Sequence, residues 1–210
     1  MNLYLVRHGK TGAKESNKQQ TPTLHLSEEG RLQALAVAKR LEKERIDVVI
    51  SSKWYRAFET AAIISKRVGL DIKTSEWIHE KKYNPCLYEV DLDSRLFMEY
   101  LSAAKKFEKD LDWRFDGAGE SIRDLIVRVR RFQNYLIKNY INQNVLVVSH
   151  GLFIRAFIIL AILGEKYDDD IFYQIYTSIS INNAGVSYLD YSIDRNRWGL
   201  IYFNDHLHVE

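Results

Sequence analysis

Short runs rich in β-branched and aromatic residues alternate along this chain with longer segments of helical periodicity, and this alternation constrains the fold more than any other feature. Six runs have the length and composition of strands. They cover residues Asn2 to Arg7, Asp47 to Ser51, Leu70 to Ser75, Asn144 to Ser149, Val186 to Ser192 and Trp198 to Asn204. Strands that alternate with helices predict an α/β fold.

The segments between these runs carry helix signals. Ser27 is placed to cap a helix whose first turn contains Glu28 and Glu29, because carboxylates favour a helix N-terminus. Apolar residues recur at helical spacing in three segments, namely Ala34, Val37, Ala38 and Leu41, then Ala57, Ala61, Ile64 and Val68, then Ile122, Leu125, Ile126 and Val129. A further helix is expected around Ser94 to Lys109, and Asp168 to Asp170 is expected in a loop.

The fourth run is apolar on successive residues from Val145 to Val148, as expected where helices cover both faces of a parallel sheet. We therefore predict a three-layer fold with a mostly parallel six-stranded sheet and helices on both faces. Ligands of such sheets bind beyond the carboxyl ends of the strands. The first strand ends at Arg7-His8-Gly9 and the fourth at Ser149-His150-Gly151, so we expect both motifs at one edge of the sheet.

The length and composition favour one domain over residues 1–210. With 46% hydrophobic residues, 210 residues suffice for one core, and only 10 Gly and 2 Pro argue against a long flexible linker. The least regular stretch, at about residues 76–116, is expected to be a cap-like insertion over the sheet.

The charge balance and the cysteine content narrow the environment of the protein. A formal net charge of +2 is too small to favour a nucleic acid partner. The longest apolar run, Ala156 to Leu163, is shorter than the ~20 residues that cross a bilayer, so no membrane partner is expected and the run is predicted to be a buried helix. The single cysteine, Cys86, and the early charge in the first eight residues predict a cytoplasmic location.

Two of the six histidines lie where chemistry is expected. His8 and His150 each end a predicted strand and precede a glycine, where backbone can approach a ligand closely. A neutral imidazole among cations can attack phosphorus, and arginine supplies donors of fixed geometry for the phosphoryl oxygens. Arg7 adjoins His8, and Arg56 follows the second strand at the same sheet edge. These residues predict a site for phosphoryl chemistry.

Five ordered blocks of sequence resemble the histidine phosphatase superfamily, in its phosphoglycerate-mutase-like branch. The blocks are Leu5-Val6-Arg7-His8-Gly9-Lys10-Thr11, the segment Leu26 to Ala34, Ser51-Ser52 with Arg56-Ala57 and Thr60-Ala61, Gly119-Glu120-Ser121, and Ser149-His150-Gly151. The resemblance spans most of the chain. It implies a phosphoglycerate-mutase-like α/β fold and a phosphohistidine mechanism that uses neither a metal nor a cofactor.

Carried onto this sequence, the resemblance makes His8 the nucleophile, with Arg7, Arg56 and His150 around the phosphoryl group and Gly151 among the substrate-binding residues. His150 is expected to act as a cation whose pKa a bound phosphate raises, whereas His8 must be neutral to attack. A hydrogen bond from the other ring nitrogen of His8 to the backbone is expected to fix its tautomer.

The resemblance places the general acid in the insertion after the third strand, which indicates Glu80. After the leaving group departs, the same carboxylate would activate water. The family often follows this acid with a stretch that contains Gly and Trp, whereas Lys81 to Cys86 stands here. Glu89 therefore remains a competing assignment.

Two lysines depart from the family pattern and add positive charge near the predicted site. Lys10 stands where Glu or Gln is common, and Lys14 stands where Asn is frequent. Either they favour a substrate with a second anionic group or they point into solvent. Thr11 is expected to bind substrate and, with Ser52 and Glu120, to line the rim.

The sequence leaves several functions to compare. A cysteine-dependent phosphatase would need Arg six residues after its Cys, and Leu92 follows Cys86 at that spacing. The favoured function is hydrolysis of a phosphorylated small molecule, because phosphomutases of this kind tend to be longer. A phosphoglycerate-type phosphomutase and a non-catalytic phospholigand-binding protein remain as alternatives, and a homodimer is possible.

Overall fold

The computed structural model describes residues 1–12 and 17–209, and within them the predicted alternation of strands and helices is confirmed. Six strands form one sheet. They are β1 (Asn2–Arg7), β2 (Val48–Ser52), β3 (Ile72–Ser75), β4 (Asn144–Ser149), β5 (Val186–Ser192) and β6 (Arg197–Asp205). Each lies within two residues of the run predicted for it.

The strand order is β3-β2-β4-β1-β5-β6. The pairs β3·β2, β2·β4 and β4·β1 are parallel, whereas β1·β5 and β5·β6 are antiparallel. The sheet is therefore mostly parallel, as predicted, with an antiparallel hairpin at one side. Its four parallel strands direct their carboxyl ends to one common edge.

The helices that connect and flank the strands are α1 (Glu28–Leu41), α2 (Tyr55–Val68), α3 (Arg95–Lys106), α4 (Ile122–Tyr140), α5 (Gly151–Leu163) and α6 (Asp169–Ser178). The Ser27 side chain accepts a hydrogen bond from the Gly30 amide and caps α1 as predicted. Ser121 and Asp124 form a reciprocal capping box at the start of α4. Short 3-10 turns cover Glu76–Ile78, Pro85–Leu87, Phe115–Gly117 and Leu207–Val209.

Alternate residues of each central strand enter two separate apolar cores, which confirms the three-layer arrangement. Leu3 and Leu5 of β1 pack in the core formed with α4, α5 and α6. Tyr4 and Val6 pack against α1 and α2 on the opposite face. The apolar faces predicted for α1, α2 and α4 all contribute to these cores.

Two expectations about local structure are wrong. The segment Asp168 to Asp170 begins a helix, because the Asp168 side chain caps α6 by accepting from the Ile171 amide. Strand β3 starts at Ile72 and not at Leu70, because the Leu70 amide still binds the Ser65 carbonyl in the turn that ends α2. None of the described helices is long and apolar enough to cross a membrane.

Candidate active site

A cavity of about 260 Å³ opens at the carboxyl edge of the parallel strands. The register of β1 and β4 places Arg7 beside Ser149, so His8 and His150 follow at neighbouring positions. Their ring centroids are 5.2 Å apart. Both imidazoles are buried, with 1% and 0% of their surface exposed, and Arg7, Arg56 and Arg155 belong to the lining of the cavity.

The hydrogen bonds of His8 define its tautomer. Nδ1 lies 2.7 Å from the Gly9 carbonyl oxygen, which can only accept, so Nδ1 carries the proton. Nε2 is left with its lone pair and accepts from Arg56 Nε at 3.0 Å. Burial, followed by the charges of Arg56 and Arg7, lowers the pKa of His8 well below its usual value. The backbone hydrogen bond expected from the sequence is present, and the ring is neutral.

Arg56 reaches the cavity from the first turn of α2. Its Nη1 donates to the Thr21 carbonyl at 2.7 Å, and its guanidinium lies over the Trp54 ring at 4.9 Å from the centroid. Burial lowers its pKa to about 10, so Arg56 remains charged at neutral pH. These contacts hold the guanidinium against His8.

Arg7, the residue before His8, also lines the cavity. Its Nη1 donates to the Ile181 carbonyl, whereas its buried Nε has no hydrogen-bond partner within residues 1–12 and 17–209. Gly151, at the start of α5, faces this guanidinium so closely that a Cβ there would lie 3.4 Å from Arg7 Nε. The unpaired Nε–H is a donor suited to an anionic ligand.

His150 lies between His8 and Trp54. Its Nε2 is 2.9 Å from Ser52 Oγ, and its buried Nδ1 has no partner among the described residues. Burial, followed by the charges of Arg56 and His8, lowers its pKa well below the usual value. Burial and the neighbouring charges thus disfavour the cationic form of His150, which the sequence predicts with phosphate bound.

Glu80 meets the N-terminus of α5 across the cavity. Its carboxylate accepts hydrogen bonds from the backbone amides of Leu152 at 3.1 Å and Phe153 at 3.2 Å, and from its neighbour Lys81 at 3.0 Å. Helix N-termini favour such contacts. Glu89 is exposed, has a positive φ of 62°, and does not line the cavity. The geometry thus favours Glu80 over Glu89.

The remaining predicted substrate-binding residues lie at the periphery. Lys10 Nζ pairs with the Glu29 carboxylate at 2.5 Å, and Lys10 does not line the cavity. Thr11 is buried behind the lining, and its Oγ1 accepts from Gln20 at 3.2 Å. Lys14 lies outside the described residues. The structure therefore does not place Lys10 or Thr11 against the phosphoryl site.

Two residues expected near the ligand have structural roles instead. Gly9 packs against the backbone of α1, because a Cβ on it would lie only 2.3 Å from the Gly30 carbonyl oxygen. Glu120 binds the Arg128 guanidinium through both carboxylate oxygens at 2.8 Å, and it also accepts from the Lys82 amide at 3.1 Å. Neither residue lines the cavity.

Sequence reasoning missed several residues that line the cavity, among them Lys18, Lys81, Tyr83 and Arg155. Arg155 could have been found, because it lies four residues after Gly151 and hence on the same face of α5. Lys18, Lys81 and Tyr83 reach the cavity from irregular segments, where no periodicity indicates direction. Across residues 1–12 and 17–209, no group of three or more His, Cys, Asp or Glu side chains could hold a metal ion.

The chain is similar in sequence to known phosphatases and mutase-like proteins. The chain is 33% identical over 158 residues to phosphoglycerate mutase-like protein 4 of Arabidopsis thaliana, covering 73% of this chain and 68% of that one. It is 28% identical over 198 residues to phosphoserine phosphatase 1 of Hydrogenobacter thermophilus, covering 93% and 89%.

A mycobacterial glucosyl-3-phosphoglycerate phosphatase, solved as a vanadate complex, has a similar structure. Its TM-score is 0.79 at 25% identity, covering 97% of this chain and 98% of that one. The sequence profile of the histidine phosphatase superfamily (branch 1) matches residues 3–206, nearly the whole chain. The chain therefore belongs to the histidine phosphatase superfamily.

Proposed function

We propose that this protein hydrolyses phosphomonoesters through a phosphohistidine formed on His8. The observation that carries the proposal is the state of this imidazole: its Nδ1–H is bound to the Gly9 carbonyl, and the Nε2 lone pair faces a charged guanidinium beside the cavity. A neutral, oriented imidazole with arginines around it suits attack on a phosphoryl group.

In the first step, Nε2 of His8 attacks phosphorus and the bond to the ester oxygen breaks. Arg56 must exchange its hydrogen bond to Nε2 for one to a phosphoryl oxygen, which frees the lone pair when the anion binds. The unpaired Nε–H of Arg7 offers a second donor. With Ser52 donating to Nε2 of His150, Nδ1 of His150 carries a proton and offers a third. Such donors stabilise the charge spread over the equatorial oxygens.

Glu80 supplies the proton chemistry of both steps. As an acid it gives a proton to the departing alkoxide, so the product alcohol leaves neutral. It then accepts a proton from the water that attacks phospho-His8, the N–P bond breaks, and inorganic phosphate leaves. Its position in the lining of the same cavity as Arg7 and Arg56 supports this assignment.

The test is turnover of p-nitrophenyl phosphate in the presence of a metal chelator. Wild type is expected to release phosphate and to yield an acid-labile phosphoenzyme after rapid quenching, whereas His8→Ala should do neither. His25→Ala, which removes an exposed imidazole that does not line the cavity, is the matched control and should retain both. Undiminished turnover by His8→Ala would refute the mechanism.

Two alternatives stay open to measurement. The name of the Arabidopsis relative favours a test of phosphomutase activity, with 3-phosphoglycerate and a bisphosphorylated primer. Isomerisation faster than phosphate release would make the protein a mutase. A binding protein without turnover would bind inorganic phosphate at this cavity and form no phosphoenzyme.

We further propose a phosphorylated small molecule as substrate, with no nucleic acid or membrane partner, and a cytoplasmic location in which the exposed, free thiol of Cys86 stays reduced. A homodimer remains a proposal that light scattering of the purified protein tests directly. A mass near 24.7 kDa would assign a monomer.

A further inference from the structure

A second cavity of about 220 Å³ adjoins the phosphoryl site. We call it the aromatic chamber, because six rings line it: Tyr83, Tyr100, Phe107, Trp113, Tyr173 and Tyr176. The two cavities share Lys81, Tyr83 and Leu152 in their linings. A molecule bound in the phosphoryl cavity can therefore extend directly into the chamber.

The rings of the chamber support one another. Trp113 stacks between Tyr100, at a centroid distance of 6.2 Å, and Phe107, at 5.9 Å. Tyr83 meets the Tyr100 ring edge-on at 5.7 Å. Rings held in this way present flat apolar surfaces at fixed angles, which suits stacking of another ring.

A buried polar atom in the chamber lining independently indicates a ligand. Tyr176 is only 6% exposed, and its hydroxyl has no hydrogen-bond partner among the described residues. A phenol seldom remains buried and unpaired, because the lost hydrogen bond to water costs about 1–3 kcal/mol. A hydroxyl or heteroatom of a bound molecule would satisfy it.

The position of Glu80 connects the chamber to the chemistry. The Leu152 amide that binds the Glu80 carboxylate belongs to a residue of the chamber lining, and Lys81, the next residue after Glu80, lines the chamber too. Because the acid must touch the ester oxygen, the alcohol part of the substrate leaves from a point beside the chamber.

We propose that the aromatic chamber binds the alcohol part of the substrate, and that this alcohol carries a neutral ring with a hydrogen-bonding group. The inference rests on the proposed hydrolysis of phosphomonoesters and adds the substrate class. A neutral ring is specified because the exposed carboxylates Glu108 and Asp110 line the chamber and repel an anion, whereas Lys81 in the same lining repels a cation.

The first experiment compares 2-phenylethyl phosphate with ethyl phosphate. Both are primary alkyl esters, so the intrinsic reactivity of their leaving groups is similar and the ratio of their kcat/KM values reports the ring alone. Wild type should prefer the phenylethyl ester. Phe107→Ala removes one wall and should lower the ratio about fivefold, in line with the strength of aromatic contacts. Phe203→Ala, which removes an equally exposed ring from β6, should leave it unchanged.

A second variant addresses the hydroxyl of Tyr176. Among the ortho, meta and para isomers of 2-(hydroxyphenyl)ethyl phosphate, at least one should exceed 2-phenylethyl phosphate in kcat/KM. In Tyr176→Phe the ratio of these two kcat/KM values should fall to about one, whatever the turnover of the unsubstituted ester. If no hydroxylated isomer has a higher kcat/KM than 2-phenylethyl phosphate, the proposal that the alcohol carries a hydrogen-bonding group is wrong.

The outcomes separate this inference from the proposed function. Equal kcat/KM for both esters in wild type, or the same ratio in Phe107→Ala as in wild type, would overturn the chamber's role while leaving phosphatase activity established. If neither ester is hydrolysed, calorimetry with 2-phenylethylphosphonate and ethylphosphonate still tests the chamber, and the proposed function fails only if p-nitrophenyl phosphate is not hydrolysed either. Tighter binding of the phenylethyl compound, lost in Phe107→Ala, would support it, and equal affinities would overturn it.

Discussion

At the scale of single residues, the proposed phosphoryl site combines a neutral imidazole, that of His8, with cations that keep unused hydrogen-bonding capacity. His8 owes its low pKa to burial first and to the nearby guanidinium groups second. The same groups that disfavour its protonation would attract the phosphoryl group it attacks. The positive charge would therefore both keep His8 unprotonated and attract the phosphoryl group. No separate base is needed to deprotonate the imidazole.

Arg155 is predicted to strengthen phosphate binding. Its buried Nε has no partner, and it forms no ion pair with a carboxylate in residues 1–12 and 17–209. Its only hydrogen bond there is a long one, 3.4 Å, from Nη1 to the Tyr176 carbonyl. Arg155→Gln should raise the inhibition constant of inorganic phosphate about tenfold, because a hydrogen bond to a charged group contributes about 1.5 kcal/mol or more.

Competitive inhibition of aryl phosphate hydrolysis measures this constant. Arg131→Gln removes the same charge from an exposed position on α4 and serves as the control. Equal inhibition constants for the two variants would show that Arg155 contributes only through its long-range charge.

At the scale of elements, α4 holds the backbone next to Glu80, the proposed acid, without lining the phosphoryl cavity. Arg128 of α4 donates to the carbonyls of Trp77 at 2.6 Å and His79 at 2.8 Å, and its pair with Glu120 is almost fully buried. These bonds fix the backbone that leads into Glu80. We therefore expect the helix to set where the carboxyl group meets the ester oxygen.

Arg128→Lys tests this positioning role, since it keeps the charge opposite Glu120 but cannot form the forked contacts. The kcat for an alkyl phosphate should fall about tenfold, because a displaced acid loses only part of the rate enhancement that general acid catalysis typically provides. The kcat for p-nitrophenyl phosphate should fall far less, because its leaving group needs little protonation. Arg131→Lys is the control on the same helix. An equal loss with both substrates would indicate a general structural defect.

The elements also show what sequence patterns can and cannot predict. The strand ends at His8 and His150 were predictable because a buried apolar run ends at each histidine and a glycine follows it. Their proximity was predictable because parallel strands end at the same edge of a sheet. Glu80, the proposed acid, and part of the chamber lining lie in segments without periodicity. Tertiary packing sets the orientation of the side chains of Lys81, Tyr83 and Trp113. The contacts of Tyr83 and Trp113 with the Tyr100 ring are examples, and no local sequence pattern encodes them. Helix α6 was missed because its cap was interpreted as a loop.

At the scale of the whole molecule, the near-neutral net charge conceals an uneven distribution. Within residues 1–12 and 17–209, Arg7, Arg56, Arg155, Lys18 and Lys81 line one cavity together with a single carboxylate, that of Glu80. Most other charged side chains lie outside this cavity and include pairs such as Arg67 with Glu42 and Arg95 with Glu99. The cavity thus concentrates positive charge that the total of +2 does not reveal.

This concentration of positive charge should make the folded protein less stable in acid. Burial and neighbouring cations lower the pKa of His8 and His150 well below their unfolded values, and that of His79 to about 4. Between their folded and unfolded pKa values, the unfolded chain binds more protons than the native protein. The free energy of unfolding should therefore decrease as the pH falls below about 6.5, by up to about 1.4 kcal/mol per pH unit for each histidine.

Urea unfolding at pH 7.5, 6.5 and 5.5 measures this dependence, in a range above the pKa values of ordinary carboxyl groups. His8→Asn should flatten the slope by about one proton, whereas His25→Asn, an exposed substitution, should leave a slope close to that of wild type. Saturating inorganic phosphate should raise stability at every pH, because it binds only the native cavity, and should raise it further where it allows His150 to take up a proton. A stability that stays constant from pH 7.5 to 5.5 without phosphate would mean that the buried imidazoles are not held neutral by their surroundings.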